Sequence, residues 1–334
     1  MKLLITLDYE LFFGRITGSP QRCLIDPVDE LTRQLRRTGK EIKLCLFVDA
    51  GYLIRLQAEA IKFPQLGQQY KLIIRHLKAL AAQGHEIQLH IHPHWEDSHF
   101  NGQDWEIDFS RYRLHEFSDT EIHRIVKDYT ELLSKISGNG VFAYRAGGWC
   151  LQPFDKLSNA LAENGVWLDS TVYYKGLSNE PTRWFDFTRA PAKAYWHFNN
   201  NPLFEDANGG FLEIPISSVR ISPAFFWRLL FNKFIKNPSH QTYGDGSSMH
   251  WTKLQYFKML TSYSYSVASV DGLKASLLPK ACKQGLSRGT GDIFNLIGHP
   301  KALTPYSIKK LAEFISTHEV ESVTYSSFRE LRPR

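Results

Sequence analysis

The chain has 334 residues, 43% hydrophobic and 22% charged, enough for one large α/β barrel or two modest domains with a sizeable core. Its net charge of +6 raises the question of nucleic acid. Lys and Arg are nevertheless spread along the sequence with no basic run and no nucleic-acid motif, so the charge fits anionic glycans or a lipid surface instead.

The first strand signal covers 2–7 and delivers TLDYE, in which period two places Asp8 and Glu10 on one side. The opening MKLLITLDYE reaches an acidic residue too early for a signal-peptide core, and no later stretch is apolar enough to span a bilayer. Cys23, Cys45, Cys150 and Cys282 show no ligand spacing, which implies a reducing compartment. Cytoplasmic residence is expected. A helix follows over 27–37, a strand over 42–48 ending at Asp49, and a helix over 72–83 that Gly84 ends.

The stretch GHEIQLHIHPHWE, residues 84–96, carries His85, His90, His92 and His94, with His99 just beyond. Residues 86–91 read as a buried strand that Pro93 closes. Residues four apart on a strand are about 13 Å apart, so His90 and His94 share a metal ion only if the chain turns at Pro93. His90 and His92, on one face of the strand, are the rival pair.

A helix over 121–136 has Ser118 or Asp119 as its cap and Gly138 beyond its end. Strand 141–144 presents Arg145 at the start of RAGGWC, helix 154–164 stops at Gly165, and strand 166–168 ends in Asp169. Strand 211–216 precedes an insertion at about 217–290, and strand 293–297 ends in Gly298 and His299. Within the insertion, ISPAFFWRLLFNKFIKNP has helical spacing with a wide apolar face and carries Arg228, Lys233 and Lys236. It reads either as a helix packed on the barrel flank or as an interfacial helix for a membrane. A second helix is expected over 251–261, and YGDGSSMHW, with His250, could cap the site. Alternating strands and helices with polar residues at strand ends imply one domain over 1–334. Its sheet is parallel and closed, with the site on the C-terminal rim.

The order TLDYE, GHEIQLHIHPH, YRAGGW, WLDS and LIGHP resembles the polysaccharide deacetylase family, also called the NodB-homology or carbohydrate esterase 4 family. It is nearest in feel to the deacetylase-like proteins of bacterial lipopolysaccharide O-antigen biosynthesis. The similarity spans roughly 1–169 and 295–331. It implies a distorted (β/α)7 barrel, here with an aromatic-rich helical insertion before the last strands. One divalent metal ion, zinc by preference, would be held by an acidic residue and an HxxxH pair.

Carried over residue by residue, Asp8 matches the family's catalytic base and His90 and His94 its histidine ligands. Arg145 would orient Asp8, and Asp169 would hold His299 as the acid. The family's usual second aspartate is Tyr9 here, which leaves Glu10 as the third ligand. Proline and tyrosine of the family's arginine motif are replaced by Ala146, Gly147, Gly148 and Trp149.

The implied reaction is removal of an N-acetyl or other acyl group from a sugar. The metal would acidify water and polarise the carbonyl, Asp8 would take the water's proton, and His299 would protonate the leaving nitrogen. Backbone N–H groups around Gly148 could complete an oxyanion site. Among 8 Trp and 15 Tyr, Trp95 and Trp149 adjoin the site and are the expected sugar contacts. A cytoplasmic enzyme would act on a precursor, either a sugar nucleotide or a lipid-linked saccharide, the latter with membrane contact through 221–236. Two alternatives stand beside this reading: an inactive sugar-binding barrel, and a different hydrolase built on an HxH metal pair or on paired carboxylates.

Overall fold

The computed structural model describes residues 1–235, 237–247 and 253–333. Seven strands run parallel in one curled sheet: β1 (Lys2–Tyr9), β2 (Cys45–Asp49), β3 (Glu86–Ile91), β4 (Ala143–Ala146), β5 (Leu168–Asp169), β6 (Phe211–Glu213) and β7 (Ile293–Gly298). Their order is β6-β5-β4-β3-β2-β1-β7, with Trp196–Phe198 antiparallel on β6 and Glu321–Ser322 alongside the start of β1. The central strands are buried on both faces, as expected of a sheet covered by crossover helices.

The ladder does not close into the continuous barrel expected from the sequence. Between β6 and β7 it is bridged by single contacts: the Ser217 N–H donates to the Asn295 carbonyl at 2.9 Å, and the Asn295 side-chain amide reaches the carbonyls of Ile214 and Pro215, each at 3.2 Å. Shortness of β5 and β6 is the cause, since each contributes only two or three residues to the ladder.

The covering helices are α1 (Asp26–Arg36), α2 (Ala50–Glu59), α3 (Pro64–Ala82), α4 (Asp119–Ser137), α5 (Asp155–Glu163), α6 (Pro223–Ile235), α7 (Lys253–Thr261), α8 (Leu278–Ser287) and α9 (Pro305–Thr317). In α4, Ser118 and Glu121 form a reciprocal capping box and Gly138 ends the helix at φ 70°, a cap usually worth about 1 kcal/mol. Helix α3 starts earlier than the sequence suggests because Pro64 suits a first helical position. Helix α2 was not expected at all; it buries Tyr52, Leu53 and Leu56. Residues 218–221 and 264–267 form an antiparallel ribbon that carries α6 and α7 out of the barrel body. Lys236, His250 and the first two residues expected in α7 lie outside the described residues. No described helix is long and apolar enough to cross a membrane.

Register brings the C-terminal ends of the strands together. Asp49 lies opposite His90, His90 opposite Arg145, Tyr144 opposite Asp169, and Asp169 opposite Glu213. Asp8 follows from β1, and His299 lies one residue beyond β7.

Candidate metal and catalytic centre

Period two along β1 directs Asp8 and Glu10 to the same side, while Tyr9 points the other way and its hydroxyl meets His76 at 2.9 Å. The same periodicity on β3 aligns His90 with His92, whose backbone is still extended at φ −107° and ψ 93°. Glu10 Oε2 lies 3.0 Å from His90 Nε2 and 2.6 Å from His92 Nε2. All three side chains are buried, and their ligand atoms lie within 4.8 Å of one another.

Protonation states bear on what this cluster can hold. His90 Nδ1 lies 2.8 Å from the Arg145 carbonyl, which can only accept, so the proton belongs on Nδ1. Burial would lower the His90 pKa, but Asp8 and Glu10 outweigh it and raise it above its ordinary value; a divalent cation would take the place of the Nε2 proton between the ring and the carboxylate. His92 Nδ1 has no hydrogen-bond partner among the described residues. Burial, opposed only in part by Glu10, pushes His92 down to about 4, which makes it neutral and able to ligate. Burial alone would raise the Glu10 carboxyl, but Lys301 and the two histidines outweigh it and hold the group well below its usual range. Two imidazoles and one ionised carboxylate at these separations suit a divalent metal ion.

His94, expected as the second histidine ligand, is not among the three side chains whose ligand atoms converge, although its ring centroid lies 5.2 Å from that of His92. The short helical turn Pro93–Glu96 begins only after His92, too late to return His94 to the face of His90. Its ring is stacked on Tyr112 at 5.6 Å and packed by Phe13 and Phe109, and neither nitrogen has a hydrogen-bond partner among the described residues. Burial holds it well below the usual histidine range.

Asp8 is gripped on one oxygen and open on the other. Arg145 donates to Oδ1 at 2.6 Å, to Thr6 Oγ1 at 2.9 Å and to the Ser170 carbonyl at 2.8 Å, with its guanidinium 4.0 Å from the Phe47 ring centroid. Asp8 Oδ2 faces His90 Nε2 at 3.9 Å and His299 Nε2 at 3.7 Å. The structure thus brings Arg145, expected to orient Asp8, into direct contact with it.

The partner of His299 is Asp271 and not Asp169. Asp271 Oδ2 lies 2.8 Å from His299 Nδ1, and Asp271 Oδ1 accepts the His299 backbone N–H at 2.7 Å. Segment 268–270 reaches this position by running beside β7: the Val270 N–H donates to the Ile297 carbonyl at 2.9 Å. Gly298 permits it, because a Cβ there would lie 2.3 Å from Val270 Cγ2. Burial would lower the His299 pKa, but Asp271, aided by Asp8 and Glu10, raises it above its ordinary value. Asp169 is committed elsewhere, accepting the Thr171 N–H and hydroxyl at 2.9 and 2.8 Å and lying within hydrogen-bonding reach of Glu213. Burial raises both of those carboxyls.

Trp95, expected to touch sugar, is fully buried, with its indole N–H donated to Asp49 at 2.6 Å. Burial pushes Asp49 up to about 7. The glycine pair in RAGGWC has a packing reason. A Cβ on Gly147 would sit 2.7 Å from His92 Nδ1, and Gly148 turns at φ 60° beside the Tyr112 hydroxyl. Trp149 stays half-buried at φ 62° against Tyr173 and Phe185.

Sequence reasoning missed Asp271, which no motif marks, and Lys301. The Lys301 ammonium lies 2.8 Å from Glu10 Oε1 and also contacts the Leu11 carbonyl, beside the rings of Phe12 and Phe13. The one sequence signal for Lys301 is its place directly after GHP, two residues past His299.

No family model and no curated protein matches the sequence. Among solved structures, a candidate polysaccharide deacetylase from Mycobacterium smegmatis is similar over 99% of this chain and 89% of its own, with 15% identity and a TM-score of 0.47. An allantoinase (13% identity, 99% and 91% coverage) and a GH57-type branching enzyme from Pyrococcus horikoshii (9%, 98% and 70%) also reach 0.47. Several other neighbours are polysaccharide or peptidoglycan deacetylases and a family 4 carbohydrate esterase.

Proposed function

We propose that the protein is a metal-dependent hydrolase that removes an acyl group, N-acetyl by preference, from a sugar. The observation that carries this reading is the convergence on Glu10 of a two-histidine donor set with Asp8 and His299, each fixed by its own charged partner. A divalent ion held by Glu10, His90 and His92, with zinc favoured by that donor set, would supply a Lewis acid that polarises a carbonyl and eases loss of a proton from water.

The chain's own residues account for the remaining chemistry. Asp8 Oδ2, kept open because Arg145 occupies Oδ1, receives the proton that water loses as its oxygen joins the acyl carbon. His299, protonated through Asp271 and directed inward by Nε2, gives its proton to the sugar nitrogen as the carbon–nitrogen bond breaks. Asp8 is buried and His299 half-buried, so charge interactions between them are stronger than in open water. Gly148 and Trp149, on the rim, are the proposed contacts for the sugar.

The finer reading is a precursor in surface-polysaccharide or lipopolysaccharide synthesis, acted on in the cytoplasm at the inner membrane face. Four unpaired cysteines agree with a reducing compartment. Acetate release from soluble N-acetylated oligosaccharides, before and after chelation and zinc return, tests the activity. Loss on chelation with recovery on zinc supports it. A zinc-replete protein that binds such sugars without releasing acetate would make it a sugar-binding barrel.

A further inference from the structure

Helix α6 has two apolar sides. Phe225 and Phe226 pack into the protein, while Trp227, Phe231, Phe234 and Ile235 are 58%, 64%, 86% and 53% exposed. The exposed set has spacing i, i+4, i+7, i+8, which is one face of a helix about 20 Å long. The Trp227 indole N–H donates to the Leu260 carbonyl of α7 at 3.2 Å, so the two helices form a pair, to which α7 adds exposed Phe257.

Charge tells what covers this face. Between Glu213 and Asp271 the sequence carries Arg220, Arg228, Lys233, Lys236, Lys253 and Lys258 against one acid, Asp245. Asp245 is turned into the body, where it accepts the Ser19 N–H and hydroxyl, each at 2.8 Å. A row of exposed Phe and Trp in a sequence segment that carries six Lys and Arg and one acid matches an anionic lipid surface, where rings enter the headgroup boundary and cations meet phosphates.

The opposite side of α6 faces a cavity of about 490 Å³ lined by Leu229, Asn232, His240, Gln241, Gly272 and Thr304, among others. Gly272 adjoins Asp271, the partner of His299. One helix thus separates the exposed aromatic face from a largely apolar cavity.

We propose that the α6–α7 pair seats the protein on an anionic membrane surface, where the substrate would be a saccharide linked to lipid. The membrane contact stands on the exposed face and its charge alone; the lipid-linked substrate rests on the deacylase reading above.

Co-sedimentation of the full chain with vesicles of phosphatidylcholine alone, or mixed with phosphatidylglycerol, tests the contact. Binding should be at least about fivefold tighter to the anionic vesicles and weaken at high salt. The F231S/F234S double variant should bind about tenfold or more weakly yet release acetate from a soluble substrate like the parent. Glu10→Gln, which removes a metal ligand, should bind vesicles unchanged, so that failure of the chemistry and failure of the contact read out separately. Absence of binding to anionic vesicles at low salt would overturn the proposal. So would a dimer in light scattering that the double variant abolishes, since a second copy would then cover the face.

Discussion

Asp271 holds His299 at two points, one carboxylate oxygen 2.8 Å from the ring Nδ1 and the other 2.7 Å from the backbone nitrogen. This grip fixes the ring plane, assigns the proton to Nδ1 and aims Nε2 at Asp8, 3.7 Å away.

Asp271→Asn removes the anion that raises the His299 pKa. Activity requires the protonated ring, so it should fall as pH rises through that pKa, and in the variant the fall should move to lower pH. The pH profile of kcat/KM checks this. Asp169→Asn should leave the alkaline limb in place; a shift equal to that of Asp271→Asn would reassign the partner.

Asp8→Asn should keep the metal and lose turnover by about 10² to 10⁴, because Oδ2 can no longer accept a proton. Acetate release at saturating substrate, paired with metal analysis, separates this outcome from loss of the site.

Arg145→Ala should destabilise the fold by about 3–5 kcal/mol, the usual cost of leaving one member of a buried ion pair alone. Denaturant midpoints at neutral pH would show it. The cost includes hydrogen bonds to Thr6 and Ser170 as well as to Asp8.

Burial raises the Glu213 carboxyl well above its ordinary value. Folding therefore takes up a proton at this group. Its stabilising protonation is complete below the unfolded carboxylate pKa and is lost as pH rises through the folded pKa, at up to about 1.4 kcal/mol per pH unit. Glu213→Gln should flatten that decline. Stability measured across pH would reveal an unchanged slope if the group titrates normally.

Much of this centre was legible in the sequence because strand periodicity is local. β3 has the bounds that its alternation and Pro93 predict, Asp8 and Glu10 share a side, and Arg145 and His299 lie where their strands run out. Choosing between His92 and His94 was not a local matter. It depended on whether the chain turned before or after His92, and the turn starts at Pro93 itself. Asp271 was illegible because it sits after an antiparallel ribbon, on a segment that meets β7 through one bridge at Ser269 and Ile297. Trp95 looked like a sugar platform by proximity alone. Its burial follows from α2 and the Trp105 hairpin packing over it, with Tyr52 and Trp105 rings 5.0 and 5.1 Å away.

Metal content of purified variants tests the central claim most directly. Dialysed against zinc, the parent and His94→Ala should each retain about one equivalent, while His92→Ala and Glu10→Gln should lose it, since each removes one of three ligands. A full equivalent in His92→Ala with an empty His94→Ala, or a parent protein that binds no zinc, would contradict the account.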